Sequence, residues 1–507
     1  MIGSPDSLEP DSAAIADTIS ASGTPTSERR SLGWDVRNAS RNYATLVATH
    51  LGSSLFSFAT IWLVTRYLGS DGYGRLTAVL LAAQIGQIAL MWTGNAMSRY
   101  GVQEFVETGM LNQAFWARTV IWLPNLLLLL ASSYFWLPWL GEWLKLDRST
   151  YPFLLFYMVA MALSMHGLAA AQGAKLIRFQ SLLAFSERVL VLLVLIGFIA
   201  SSRLQVEQAL LAYSVPPLAT GIFALWKMRS LISRFVLNVE TVKRILIFSL
   251  PIPLYSVTSY LTFNHLDAII ILRYLTESDL GVYSIAYQMN GMVGQLAVSA
   301  GVLLMPMLVT SQSHDERRVR STYFDEVLPL ITFLFGVISF CVAVGSYFLI
   351  PAIMGSEFAM VGGLLVIFAA ACTVNVPVQA GYLPLAYSQS ATYIQLAAAG
   401  LGAAVNVLLN ILLIPIYGLF GCVWATVAAF STTAVVFALL SSRRFNLRTS
   451  APIVAVAPAV IAAAAFAISG RQIAYAIATF LCACAVVLVT LRRSFRAGFN
   501  RVNSRRV

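Results

Sequence analysis

Val327-Leu-Pro-Leu-Ile-Thr-Phe-Leu-Phe-Gly-Val-Ile-Ser-Phe-Cys-Val-Ala-Val-Gly-Ser-Tyr-Phe-Leu-Ile350 is a run of 24 residues without a charged side chain. A hydrocarbon core of about 30 Å needs roughly 20 apolar residues in a helix. Inside a bilayer a helix satisfies its own backbone polar groups, so the run reads as a membrane span. Comparable runs succeed one another from Tyr43 to Leu491 and predict fourteen spans: 43–65, 76–98, 119–137, 152–171, 182–200, 209–226, 250–272, 282–305, 327–350, 361–386, 394–416, 419–440, 452–469 and 473–491. The chain of 507 residues is 58% hydrophobic and 11% charged, with mean hydropathy +0.77, which excludes a soluble globular protein. The expected fold is an all-α polytopic membrane protein.

Charge sets the topology. The net charge of +11 is scattered through short loops and the C-terminal tail rather than along one face, which argues against a nucleic-acid partner. With the N-terminus in the cytoplasm, 25 Lys and Arg residues fall on the cytoplasmic side; the seven opposite are Arg66, Arg75, Lys145, Arg148, Arg203, Arg273 and Arg471. This asymmetry calls for an even number of spans and both termini in the cytoplasm. All five cysteines, Cys341, Cys372, Cys422, Cys482 and Cys484, fall inside spans, so no disulfide, metal site or cofactor is expected.

The chain also repeats itself. Arg66-Tyr67-Leu68 after span one returns as Arg273-Tyr274-Leu275 after span seven; Asp71 returns as Asp279, and Gly86-Gln87-Ile88-Ala89 as Gly294-Gln295-Leu296-Ala297. An even number of spans separates the copies, so the halves share one orientation and are related by a pseudo-two-fold axis along the membrane normal. The expected organisation is a disordered cytoplasmic tail over 1–41, an N-lobe over 42–226, a cytoplasmic amphipathic linker over 227–249 and a C-lobe over 250–440. Two peripheral helices over 441–491 and a basic tail over 492–507 follow. The linker carries Lys227, Arg229, Arg234, Lys243 and Arg244, suited to anionic headgroups. Pro251 and Pro253 open span seven as a kink or as a helix start.

The stretch Asn406-Val-Leu-Leu-Asn410-Ile-Leu-Leu-Ile-Pro415-Ile-Tyr-Gly418-Leu-Phe-Gly421-Cys-Val-Trp-Ala425-Thr426 resembles the hairpin between spans eleven and twelve of the polysaccharide-transporter family. Leu68-Gly69-Ser70-Asp71-Gly72-Tyr73-Gly74 resembles that family's turn after span one. The family belongs to the multidrug, oligosaccharidyl-lipid and polysaccharide flippase superfamily, and the resemblance covers most of residues 40–440. Pro415 and Gly418 serve a tight turn whatever the cargo, so the pattern speaks for fold.

The resemblance implies a flippase of the bacterial inner membrane, not an enzyme. Its lobes would rock around a central site and carry undecaprenyl-pyrophosphate-linked oligosaccharide outward for surface or exopolysaccharide assembly. Expected partners are that lipid-linked oligosaccharide, anionic membrane lipids and other polysaccharide-assembly membrane proteins. A lipid II flippase or multidrug antiporter shares the architecture, and a polysaccharide polymerase or ligase is the alternative from another class. The longest external loop, about 138–151, is short for an enzyme of that kind, and no nucleotide-binding G-x-x-x-x-G-K-[ST] loop is present.

Charges inside a bilayer cost about 2.5 to 3.5 kcal/mol near a helix centre and so mark function or a partner. Span five holds Glu187 and Arg188; span seven holds Asn264, His265 and Asp267. Arg188 is a cavity candidate for pyrophosphate, since a guanidinium offers bidentate donors to phosphate; the competing reading is an inter-helix ion pair or snorkelling to the interface. Asn264 is a second cavity candidate. Arg66 and Arg273, at matching external positions, either meet the outward-facing pyrophosphate or anchor helix ends. Asp267, Glu187 and His265 are candidates for coupling to H+ or Na+, against plain inter-helix hydrogen bonding. His50 and His166 read as packing residues, and Trp136, Trp139 and Trp143 as interface anchors.

Overall fold

The computed structural model describes residues 25–201, 204–250, 253, 265–310, 321–388, 391–492 and 494, without the side chains of 25–48, 50, 51, 177, 265, 296–310, 387, 388 and 392. Among the described residues there is no strand. The first half contains α1 (Pro25–Met91), interrupted at Gly69 (φ 67°), then a helical turn Gly94–Ala96, a π-turn Met97–Gly101 and α2 (Val102–Thr108). It continues with α3 (Asn112–Ala131), α4 (Ser133–Trp143), α5 (Tyr151–Gly173), α6 (Ile177–Ser201) and α7 (Val206–Lys227). A linker helix, α8 (Val239–Ser249), leads to α9 (His265–Tyr274) and α10 (Glu277–Thr310). Beyond lie α11 (Leu328–Met354), α12 (Met360–Pro377), α13 (Leu383–Ser388), α14 (Thr392–Tyr417), α15 (Leu419–Phe445), α16 (Ser450–Ile468) and α17 (Ile473–Thr490).

Eleven stretches among the described residues are long and apolar enough to cross a membrane. The first, Gly52–Met91, carries the break at Gly69 and holds the expected spans one and two. Span eight corresponds to α10, and α9 is the described part of span seven. Pro251 lies outside the described residues.

Three expectations need correction. The first helix runs back to Pro25, so the backbone over 25–41, expected as disordered tail, is helical; Pro25 suits a first helical position, and Glu28, Arg29 and Arg30 are good helix formers. The third span begins at Asn112, not 119. The Glu104 carboxylate accepts the free N–H groups of Gln113 and Ala114 (2.8 and 2.7 Å), capping α3 from nine residues upstream where no local cap announces it. Arg118 therefore lies inside the third span rather than in the loop before it. Finally, α16 is not simply peripheral: Ala455, Ala459, Ala462, Ala463 and Phe466 are buried, packed toward α11 and α12. Its small side chains permit that approach, since lipid tails leave helix association to close packing. α17 sits outside it, with Phe480 stacked on Phe340 of α11 at 3.9 Å.

The second half is built around α12, which is buried along nearly its whole length between α10, α11, α15 and α16. The two halves meet where α1 packs against α10. There the internal repeat becomes physical, because Ser278 donates to its counterpart Ser70 (2.7 Å). One turn further the backbones touch: a Cβ on Gly74 would sit 1.8 Å from the Glu277 carbonyl oxygen, and one on Gly281 would sit 2.3 Å from that of Ser70. Glu357 accepts from the Ser70 amide (3.1 Å) and hydroxyl (2.8 Å), and Arg75 pairs with Glu277 (2.6 Å), Asp71 (3.3 Å) and Asp147 (3.7 Å). These contacts join the halves at the face expected to be external.

Candidate functional site

Asp267 lies at 1% exposure in α9, whose apolar residues Ala268, Ile271 and Leu272 are buried around it. Its Oδ2 accepts from the Tyr283 hydroxyl of α10 (2.5 Å), and its Oδ1 accepts from the side-chain amides of Asn406 (2.8 Å) and Asn410 (2.7 Å) of α14. Asn406 and Asn410 are four residues apart, hence on one helix face, and both are fully buried. Among the described residues, no basic side chain forms an ion pair with the carboxylate. The amide oxygens of Asn406 and Asn410 are buried without a partner. A buried carboxyl group held by neutral donors therefore meets two asparagines whose amide oxygens have nothing to accept. Such groups cost about 1 to 3 kcal/mol each when left unmade.

Carboxyl and amide oxygens are the donor types a small cation takes; in this structure both amides turn their nitrogens to Asp267. Among the described residues, no cluster of three or more His, Cys, Asp or Glu side chains is arranged to hold a metal.

Glu187 forms a second buried carboxylate, at 7% exposure in α6. Its Oε2 accepts from Ser164 of α5 (2.9 Å) and Thr220 of α7 (3.2 Å). Arg188 turns away from it and is exposed, as follows from the 100° step between adjacent helix positions. At the seam between the halves, the Tyr73 hydroxyl accepts from Gln288 of α10 (2.8 Å).

The other expected residues lie apart. Arg66 and Arg273 are both exposed at matching helix ends, and neither joins the Asp267 or Glu187 cluster. Asn264 and the His265 side chain fall outside the described residues. Sequence reasoning treated Asn406 and Asn410 as part of a fold pattern and missed their chemistry; two asparagines at i and i+4 within an apolar span were the signal. It also read Arg118 as a loop residue, although it is buried in α3.

Helices of membrane-spanning length, an internal repeat joined at a pseudo-two-fold seam and polar clusters buried between helices define a two-part helical membrane protein. Over residues 63–362 the sequence matches the family described as polysaccharide biosynthesis protein, and the chain belongs to that family. Among solved structures it is similar to the lipid II flippase MurJ in an inward closed conformation, at 15% identity and a TM-score of 0.66, covering 88% of this chain and 99% of that one. It is also similar to the MATE transporter VcmN of Vibrio cholerae in a bent form (13% identity, TM-score 0.53, covering 82% and 98%). An outward-facing multidrug resistance MATE transporter of the MOP superfamily matches as well (13% identity, TM-score 0.51, covering 80% and 96%). At these identities the likeness is one of fold. No curated protein matches by sequence.

Proposed function

We propose that this protein moves an undecaprenyl-pyrophosphate-linked oligosaccharide from the cytoplasmic to the outer leaflet of a bacterial inner membrane, driven by a monovalent cation at Asp267. In this reading both termini lie in the cytoplasm. The observation that carries the reading is the buried Asp267 with its two orphaned amide oxygens, in a chain of the polysaccharide biosynthesis family. An uncompensated carboxylate in lipid is costly to keep unless it does work, and coupling to an ion gradient is such work. A seam closed at the face expected to be external suits a state that admits cargo from the cytoplasm.

In this reading Arg188 holds the pyrophosphate, since its exposed guanidinium is free of ion pairs among the described residues. Removing it leaves no buried partner stranded. Arg188→Ala is accordingly expected to lower surface polysaccharide about ten-fold or more, by loss of a charge-assisted bidentate contact, while its level in the membrane stays normal. Immunoblots of membranes beside polymer quantification check both parts.

A deletion strain tests the function itself. Loss of surface polymer with single lipid-linked repeat units accumulating on the inner leaflet, rescued by the wild-type chain, is the expected outcome. Unpolymerised units accumulating outside would instead indicate a polymerase or ligase. Normal polymer would move the reading to lipid II or drug transport.

A further inference from the structure

The first half holds a buried arginine that the transport reading does not use. Arg118, at 1% exposure in α3, donates through Nη1 to the His166 carbonyl at 3.3 Å; its Nε and Nη2 have no partner. No carboxylate among the described residues forms an ion pair with it. The nearby acids are committed elsewhere, Glu104 to the start of α3 and Glu187 to Ser164 and Thr220.

The surroundings share the deficit. The Thr93 hydroxyl, the Trp122 indole N–H and His166 Nδ1 are also buried without partners. Trp122, one helical turn from Arg118, stacks on the His166 ring at 4.7 Å. His166 is held by Thr119, whose hydroxyl lies 3.1 Å from Nε2. Gly94 brings the break after Met91 against the free edge of the guanidinium: a Cβ there would lie 3.8 Å from Nη2.

The free edge is informative. Nε and Nη2 are parallel donors that together grip two oxygens of one oxyanion. Water would satisfy the hydrogen bonds and leave the charge unbalanced, which an anion would not. Arg118 is six residues into α3, about 9 Å along the helix axis from its first residue at 1.5 Å per residue.

We propose that Arg118, with the Trp122 N–H and the Thr93 hydroxyl beside it, is an oxyanion site that receives a phosphoryl group at the cytoplasmic end of the first half. The site is closed in this structure. The break at Trp92–Thr93 and the π-turn Met97–Gly101 provide the hinge on which Gly94–Thr108 moves to admit the ligand. The phosphoryl group belongs either to the lipid-linked cargo or to a phospholipid headgroup. Attribution to cargo rests on the proposed function; oxyanion binding does not, so failed transport with intact binding would strike that function alone.

The test is thermal unfolding of the purified full chain, in detergent with inorganic pyrophosphate against sodium chloride of equal ionic strength, and in nanodiscs of phosphatidylglycerol against phosphatidylcholine. The wild type is stabilised by one of these phosphoryl probes. Arg118→Gln weakens the response about ten-fold or more, whereas Arg148→Gln, which removes an exposed charge on the opposite side, retains it. Response to free pyrophosphate points to the cargo group, and response to phosphatidylglycerol alone points to a headgroup. If Arg118→Gln does not accumulate, Arg118→Lys and Trp122→Phe replace it, each with about three-fold weaker binding. A wild type indifferent to both probes, or variants that respond as it does, overturns the site.

Discussion

Asp267→Asn yields a protein that inserts and folds but no longer responds to its coupling ion. The substitution keeps the shape of the side chain, so its oxygen still accepts from Asn406 or Asn410, and the core around α9 is undisturbed. What disappears is the single charge of the site. A charge-assisted contact is worth about 1.5 to 3 kcal/mol, so cation affinity falls by about 10- to 150-fold. Since a ligand stabilises the state it binds, the same loss appears as a flattened dependence of Tm on the ion. Titrations with Na+ and with pH, on wild type and variant, separate the two candidate ions. Asn406→Ala and Asn410→Ala have smaller effects, each removing one neutral ligand. An unchanged response to both ions in Asp267→Asn would leave Asp267 as a packing residue.

Gly74→Val has a comparable effect by another route. The added Cβ meets a backbone carbonyl, that of Glu277, at 1.8 Å, and no rotamer change relieves a clash with main chain. Closure of the seam is penalised by about 3 kcal/mol or more, enough to move a two-state equilibrium about a hundred-fold toward the externally open form. Cross-linking reads this directly. With the native cysteines replaced, Ser70→Cys and Ser278→Cys join readily when Gly74 is present and about ten-fold less in Gly74→Val. Gly197→Ala is the contrasting case, since its Cβ has nothing within 4 Å; it leaves cross-linking unaltered. Equal cross-linking in Gly74→Val would mean that the halves do not separate there.

Much of the fold was legible because a bilayer imposes one rule, an apolar run of sufficient length. The repeat of Arg66-Tyr67-Leu68 as Arg273-Tyr274-Leu275 was legible, but not that Ser70 would meet Ser278 beside it. Boundaries failed where the helix began in polar residues, as at Asn112, Gln113 and Arg118, whose cap comes from distant Glu104. The site was half legible. A carboxylate such as Asp267 announces itself by its cost, whereas Asn406 and Asn410 are neutral and blend into a turn pattern. Their meaning depends on α9 and α14 lying side by side, which no local spacing encodes.

The central claim is tested most directly in proteoliposomes carrying a lipid-linked oligosaccharide and an imposed Na+ or H+ gradient, with an impermeant glycosidase reporting which leaflet holds the sugar. The account predicts gradient-dependent movement of the sugar between leaflets by the wild-type chain and none by Asp267→Asn. Movement at the same rate without a gradient, or a chain that leaves this lipid in place while transporting lipid II or a drug, would contradict it.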